Sequence, residues 1–110
     1  MPANAKDLLH GTLDLLVLRA LATEPMHGFA LSKWIDDRTN GQLGIVDSAI
    51  YKALHRLEDT RAIHAEWGAS DNNRRAKYYS LTTAGRQMLR AEIANWKHYV
   101  ATVSVVLEPG

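Results

Sequence analysis

DSAIYKALHRLEDTRAIHAEWGASDNNRRAKYYSL, residues 47–81, contains the change of period that decides the fold. Ile50, Ala53, Leu54 and Leu57 step by i, i+3, i+4, i+7, which predicts a helix from about Asp47 to Thr60 with Asp47 as its N-cap. At 100° per residue, Ser48, Tyr51, Lys52, His55, Arg56 and Asp59 fall on the opposite side. From Ile63 the period drops to two. Ile63, Ala65 and Trp67 alternate with His64 and Glu66, and Lys77, Tyr79 and Leu81 alternate with Tyr78 and Ser80. That is a strand pair, and the polar run 68–75 between them gives the hairpin a basic tip.

Working outward, Thr82 or Thr83 caps a last helix over about 83–106. Leu89, Ile93, Trp96, Val100, Val103 and Leu107 step by 4, 3, 4, 3, 4, a coiled-coil seam. At 1.5 Å per residue this helix is about 36 Å long, more than a small core covers. On the N-terminal side, Pro25 breaks the chain, and a second helix runs from about His27 to Arg38. Its apolar face is Ala30, Leu31, Trp34 and Ile35, with Lys33, Asp36 and Asp37 facing away. A first helix, Lys6 to Ala22, is apolar nearly all round, with Gly11 a weak point inside it. Such a helix is buried on more than one side, here against its own core and a partner subunit. Leu9, Leu13 and Leu16 would join the seam residues at that interface.

The expected fold is therefore mainly α with a β-hairpin wing. A winged helix-turn-helix over 1–82 is followed by a dimerisation helix over 83–110, the two forming one compact unit. Helices two and three form the helix-turn-helix, whose second member would enter a DNA major groove. Ser48, Tyr51, Lys52 and His55 lie in the N-terminal half of that helix, where base contacts concentrate. Arg74, Arg75 and Lys77 on the wing, and Lys33 on helix two, complete the expected DNA-contacting set. Arg56 sits nearer the apolar stripe and suits a structural ion pair better than a base contact.

Charge supports this placement once it is located. The 110 residues carry 13 Lys and Arg against 12 Asp and Glu, a net of +1 that by itself argues against a nucleic-acid partner. Residues 51–90, however, hold eight bases against four acids, a net of +4. Residues 1–50 hold four against six, and residues 91–110 one against two. Screening limits exposed charges to about 10 Å, so a local patch matters more than the total. The hydrophobic share of 46% excludes a disordered chain. The absence of cysteine excludes disulfides and thiolate chemistry and fits a cytoplasmic location. No apolar run spans a membrane and no signal pattern opens the chain, so no membrane partner is expected. The five histidines lack metal-ligand spacing, and no phosphate loop or nucleophile motif occurs, so neither an enzyme nor a cofactor is expected.

Four segments carry a family resemblance: Pro25–Phe29; Ile50-Tyr51 with Leu54, Arg56, Leu57 and Glu58; Glu66-Trp67-Gly68; and Asn72–Tyr79 with Leu81, Thr82 and Gly85. Together they resemble the PadR family of transcriptional regulators over about residues 8–100, in its compact subgroup with a single C-terminal helix. The resemblance implies a homodimer closed by the last helix and aided by the first. It also implies binding to palindromic double-stranded operator DNA, usually as a repressor released by a small-molecule effector. The family's recognition-helix Tyr corresponds to Tyr51, the polar position after it to Lys52, and its wing bases to Arg74, Arg75 and Lys77. Two positions depart from the pattern. Ala49 stands where many members have Ser or Thr, and Arg61 or Ala62 occupies a turn that is often Gly. Trp96 admits two roles: stacking a flat aromatic effector, as in multidrug-sensing members, or packing the dimer seam. A protein-interaction module that keeps this fold without binding DNA is the main rival, favoured by Asp36, Asp37 and Asp59. A sensor whose main chemistry is ligand capture at the seam is a second.

Overall fold

The computed structural model describes residues 11–70 and 72–109. The elements run α1 (Thr12–Leu21), β1 (Met26–His27), α2 (Gly28–Thr39), α3 (Asp47–Asp59), β2 (Ile63–Ala69), β3 (Arg75–Leu81) and α4 (Thr83–Leu107). The fold class is the expected one, helices with a hairpin wing. The strands form one antiparallel sheet in the order β1-β3-β2.

The core is where the sequence periods converge. Val17, Leu18, Ala20 and Leu21 of α1 meet Leu31 and Ile35 of α2 and Ile50, Ala53, Leu54 and Leu57 of α3. Ala62, Ile63, Tyr79 and Leu89 close it from the sheet and α4. No polar or charged residue is buried among the described residues. Burial keeps the Tyr79 phenol protonated to higher pH than usual, an effect that Lys77 partly offsets. No described helix is long and apolar enough to cross a membrane.

Several expectations are corrected. Gly11 does not interrupt α1; it precedes it, as a left-handed N-cap with φ +85°. Residues 6–10, including Leu9, lie outside the described residues. The N-cap of α3 is Val46, with extended backbone and no side-chain cap bond, and Asp47 is the first helical residue. The Asp47 carboxylate instead accepts from Ser32 Oγ at 3.0 Å, tying α3 to α2. Leu13 and Leu89, expected at a dimer interface, are 9% and 7% exposed. Both are used in the chain's own core, because α1 and α4 pack on each other. Strand β1 has no counterpart in the sequence reading.

The wing meets α4 through one joint. Arg61 adopts φ +62°, so of the two candidates it is Arg61 that takes the left-handed turn position often filled by Gly in the family. Thr82 caps α4 by accepting from Gly85 N at 3.0 Å, and its hydroxyl donates to the Arg61 carbonyl at 2.7 Å. The Thr82 amide donates to the Ala62 carbonyl at 3.1 Å. Gly85 is required here, because a Cβ at this position would overlap the Ala62 carbonyl oxygen.

Candidate nucleic-acid interface

Helix α2 is anchored at its start. His27 is extended, and its Nδ1 accepts from the Ala30 amide at 3.1 Å, so an imidazole serves as N-cap. Met26 and His27 pair with Tyr79 and Tyr78, which fastens this end of α2 to the middle strand of the wing. Asn40, Gly41 and Gly44, all with positive φ, then turn the chain into α3. The faces of α3 separate as the 100° rotation predicts. Ile50, Ala53, Leu54 and Leu57 are at most 3% exposed, while Ser48, Tyr51, Lys52 and His55 are exposed.

Tyr51 owes its place to Gly28. A Cβ on Gly28 would lie 2.6 Å from the Tyr51 hydroxyl oxygen, so only glycine lets the ring cross the start of α2. Beside it, a groove of about 800 Å³ separates α2 and α3 from the wing. Lys33, Tyr51, Arg75 and Lys77 line it together with His27, Phe29 and Trp67. Ser48, Lys52 and His55 are exposed on α3 outside this lining, and Arg74 stands at the wing tip.

The bases of this face are not equivalent. Lys33 is paired with Asp37 at 3.1 Å. Lys77 approaches Glu58 at 3.4 Å and is only one-third exposed. Lys52, Arg74 and Arg75 form no ion pair among the described residues. Arg56 binds Asp14 at 2.6 Å, a structural pair, as the sequence suggests. The Asp14 hydrogen bond raises the pKa of that guanidinium further, against a smaller opposing effect of burial.

Sequence reasoning missed His27 and Phe29 as groove residues, and it read Trp67 only as one position of a strand alternation with Ile63 and Ala65. Trp67 does share that face with Ile63, but the hairpin projects past the core there, leaving the ring 59% exposed. The family segment Pro25–Phe29 was the available signal for His27 and Phe29.

A second cavity, of about 310 Å³, lies between the start of α1 and the middle of α4. Thr12, Leu15, Glu92, Asn95, Trp96 and Tyr99 line it, and the Trp96 and Tyr99 rings stack at 6.2 Å. Beyond Trp96, most of the apolar side chains of α4 are uncovered. Val105, Val106 and Leu107 are each at least 75% exposed.

Residues 17–91 match the model of the transcriptional regulator PadR-like family. The chain belongs to that family. A PadR family transcriptional regulator from Eggerthella lenta is 33% identical, with a TM-score of 0.78 over 91% of this chain and 85% of that one. A transcriptional regulator from Clostridium thermocellum shares the fold, with a TM-score of 0.84 at 23% identity over 94% and 98% of the two chains. An uncharacterised protein of Lysinibacillus sphaericus is 28% identical over 102 residues, 93% of this chain and 94% of its own length. PadR-like regulators are in general DNA-binding proteins rather than enzymes. The match takes in α2, α3 and both long strands, so every residue of the groove lies inside the family's own segment.

Proposed function

We propose that this PadR-like chain is a sequence-specific DNA-binding regulator that acts as a homodimer on a palindromic operator. The observation that carries the proposal is the groove itself, in which Tyr51 of α3 faces Arg75 and Lys77 of the wing across the start of α2. On this reading α3 enters the major groove. Ser48, Tyr51, Lys52 and His55 face the bases and the backbone, Arg74 and Arg75 meet phosphates, and Lys33 and Lys77 border the contact while held by Asp37 and Glu58. Two copies place their α3 helices in successive major grooves, about 34–36 Å apart. A bound dimer blocks access to the DNA it covers, so its action is repression.

Support for the dimer comes from the uncovered apolar end of α4. Val100, Val103 and Leu107, with Leu16 and Ile93 nearer the body, offer the surface, and residues 83–110 act as both core element and partner element. The Trp96–Tyr99 stack beside Glu92 suits a flat aromatic effector, whose binding at the dimer seam would alter the spacing of the α3 helices.

The acids that favour an interaction module count for less in three dimensions. Asp37 is bound to Lys33, and Asp59 lines a separate cavity with Asp14 and Arg56. The test is a titration of the protein against duplex DNA from upstream of its own coding region, at two salt concentrations. Tight binding that weakens steeply with salt is expected, with Tyr51→Ala lowering specific affinity in a folded protein. Binding that ignores both DNA and salt would leave the interaction module. Normal affinity in the Tyr51→Ala variant would remove α3 from the recognition role.

A further inference from the structure

Trp67 and Arg75 form a pair that the DNA-binding reading does not by itself require. Trp67 lies on β2 opposite Lys77, and Arg75 is diagonal to it, two residues back on β3. All three belong to the sheet face that carries Ile63 and Tyr79 into the core. The hairpin outruns the body beneath it, so this face opens into the groove. There the Arg75 guanidinium lies over the Trp67 ring, 4.3 Å from its centroid. Arg75 forms no ion pair among the described residues, so the ring is the contact that orders it. A tryptophan 59% exposed in the free chain contributes little to the core.

We propose that Trp67 is a positioning residue for the DNA interface: its ring holds the Arg75 guanidinium out over the groove, facing Tyr51, before DNA arrives. This rests on the DNA-binding reading above and adds a division of labour within the wing. An unrestrained arginine loses much of its rotamer freedom when it meets a phosphate, and that loss weakens binding. A guanidinium already held over an indole has lost much of it beforehand, while its N–H groups stay free to donate. Arg74, at the tip without such a ring, supplies charge without direction. The wing thus carries one oriented base and one loose one.

The experiment is a titration against a duplex enriched from a random library by the wild-type chain, across a salt series. It compares Trp67→Leu, Trp67→Phe, Arg75→Lys, Arg75→Ala and the Trp67→Leu/Arg75→Ala double variant. Trp67→Leu keeps apolar bulk and every charge, so affinity should fall about five- to thirty-fold in the dimer with the salt slope unchanged. Trp67→Phe should recover most of the loss. The double variant should bind no worse than Arg75→Ala alone, since without the guanidinium the ring has nothing to hold. Wild-type affinity in Trp67→Leu would overturn the proposal and leave the DNA-binding reading standing. A double variant that sums the two single losses would also overturn it, because the ring would then touch DNA on its own account. Should Trp67→Leu fail to fold by circular dichroism, Arg75→Lys decides. It keeps the charge and loses the planar stack, so a comparable loss at constant slope supports the proposal and unchanged affinity overturns it. Failure of the wild-type chain to enrich any duplex would overturn both readings.

Discussion

Salt dependence of operator binding turns the ion-pair geometry into a number. Each base that neutralises a phosphate releases counterions, with a slope of about −0.9 per contact in log K against log salt. On the proposed DNA-facing surface Lys52, Arg74 and Arg75 are unpaired among the described residues, whereas Lys33 is held by Asp37 and Lys77 by Glu58. Three free bases per protomer make six in the dimer and a slope of about −5. Between 50 and 200 mM salt the affinity should then fall about 2,000-fold. If Lys33 and Lys77 also left their partners for phosphates, ten contacts would give about −9 and a fall of more than about 10⁵-fold. Fluorescence anisotropy with a labelled operator duplex separates these values. Arg75→Ala should flatten the slope by nearly two, one contact in each protomer, while Lys33→Ala should leave it almost unchanged. A wild-type slope near −9, or equal flattening by the two variants, would refute the idea that the ion pairs with Asp37 and Glu58 keep these lysines from the phosphates.

Three further outcomes test the frame that carries the interface. Gly85→Ala places a Cβ on the Ala62 carbonyl oxygen and forces α4 off the start of the wing, so thermal unfolding should show a loss of about 2–4 kcal/mol; an unchanged Tm would mean the joint is slack. Arg61→Gly relieves the left-handed backbone at φ +62° and should gain about 0.5–1 kcal/mol, roughly 4 °C in Tm, with DNA affinity retained. Burial raises the Tyr79 pKa above its ordinary value near 10, so the neutral phenol stabilises the fold fully below about pH 10, and that stability is lost as pH rises through the folded value. Tyr79→Phe should therefore unfold less readily than wild type in an alkaline titration followed by circular dichroism, and a steeper alkaline fall in the variant would contradict the assignment.

What the sequence made legible is what depends on periodicity and on short-range chemistry. The stripe Ile50, Ala53, Leu54, Leu57 fixed the buried side of α3, and with it the exposure of Tyr51. The switch of period at Ile63 marked the wing, and the Thr82-Thr83 pair announced α4, with Thr82 the actual cap. Strand β1 was not legible, because two residues carry no period; it exists because β3 has an open edge that the chain passes on its way into α2. The capping of α3 by Val46 was hidden for a related reason. Asp47 has the chemistry of a cap, but Ser32, fifteen residues away, claims its carboxylate.

The candidate site shows the same division, with consequences for selectivity. A count of bases over residues 51–90 suggests a broad positive patch, and the fold narrows it. Arg56 and Lys77 are held by Asp14 and Glu58. Only the Lys33–Asp37 pair, at i, i+4, had a local signal. Alternation put Trp67 on one strand face with Ile63 and Ala65 but left its surroundings open, because alternation gives a side chain its face but not the point where the body beneath it ends. A regulator with few free bases cannot hold DNA of any sequence tightly, since non-specific affinity scales with phosphate contacts. On the proposed reading, discrimination then comes from placement: Tyr51 set by Gly28, Arg75 set by Trp67, and two copies of α3 set by the far end of α4. Each of these is a matter of shape rather than net charge, so a total of +1 is compatible with a chain that reads DNA.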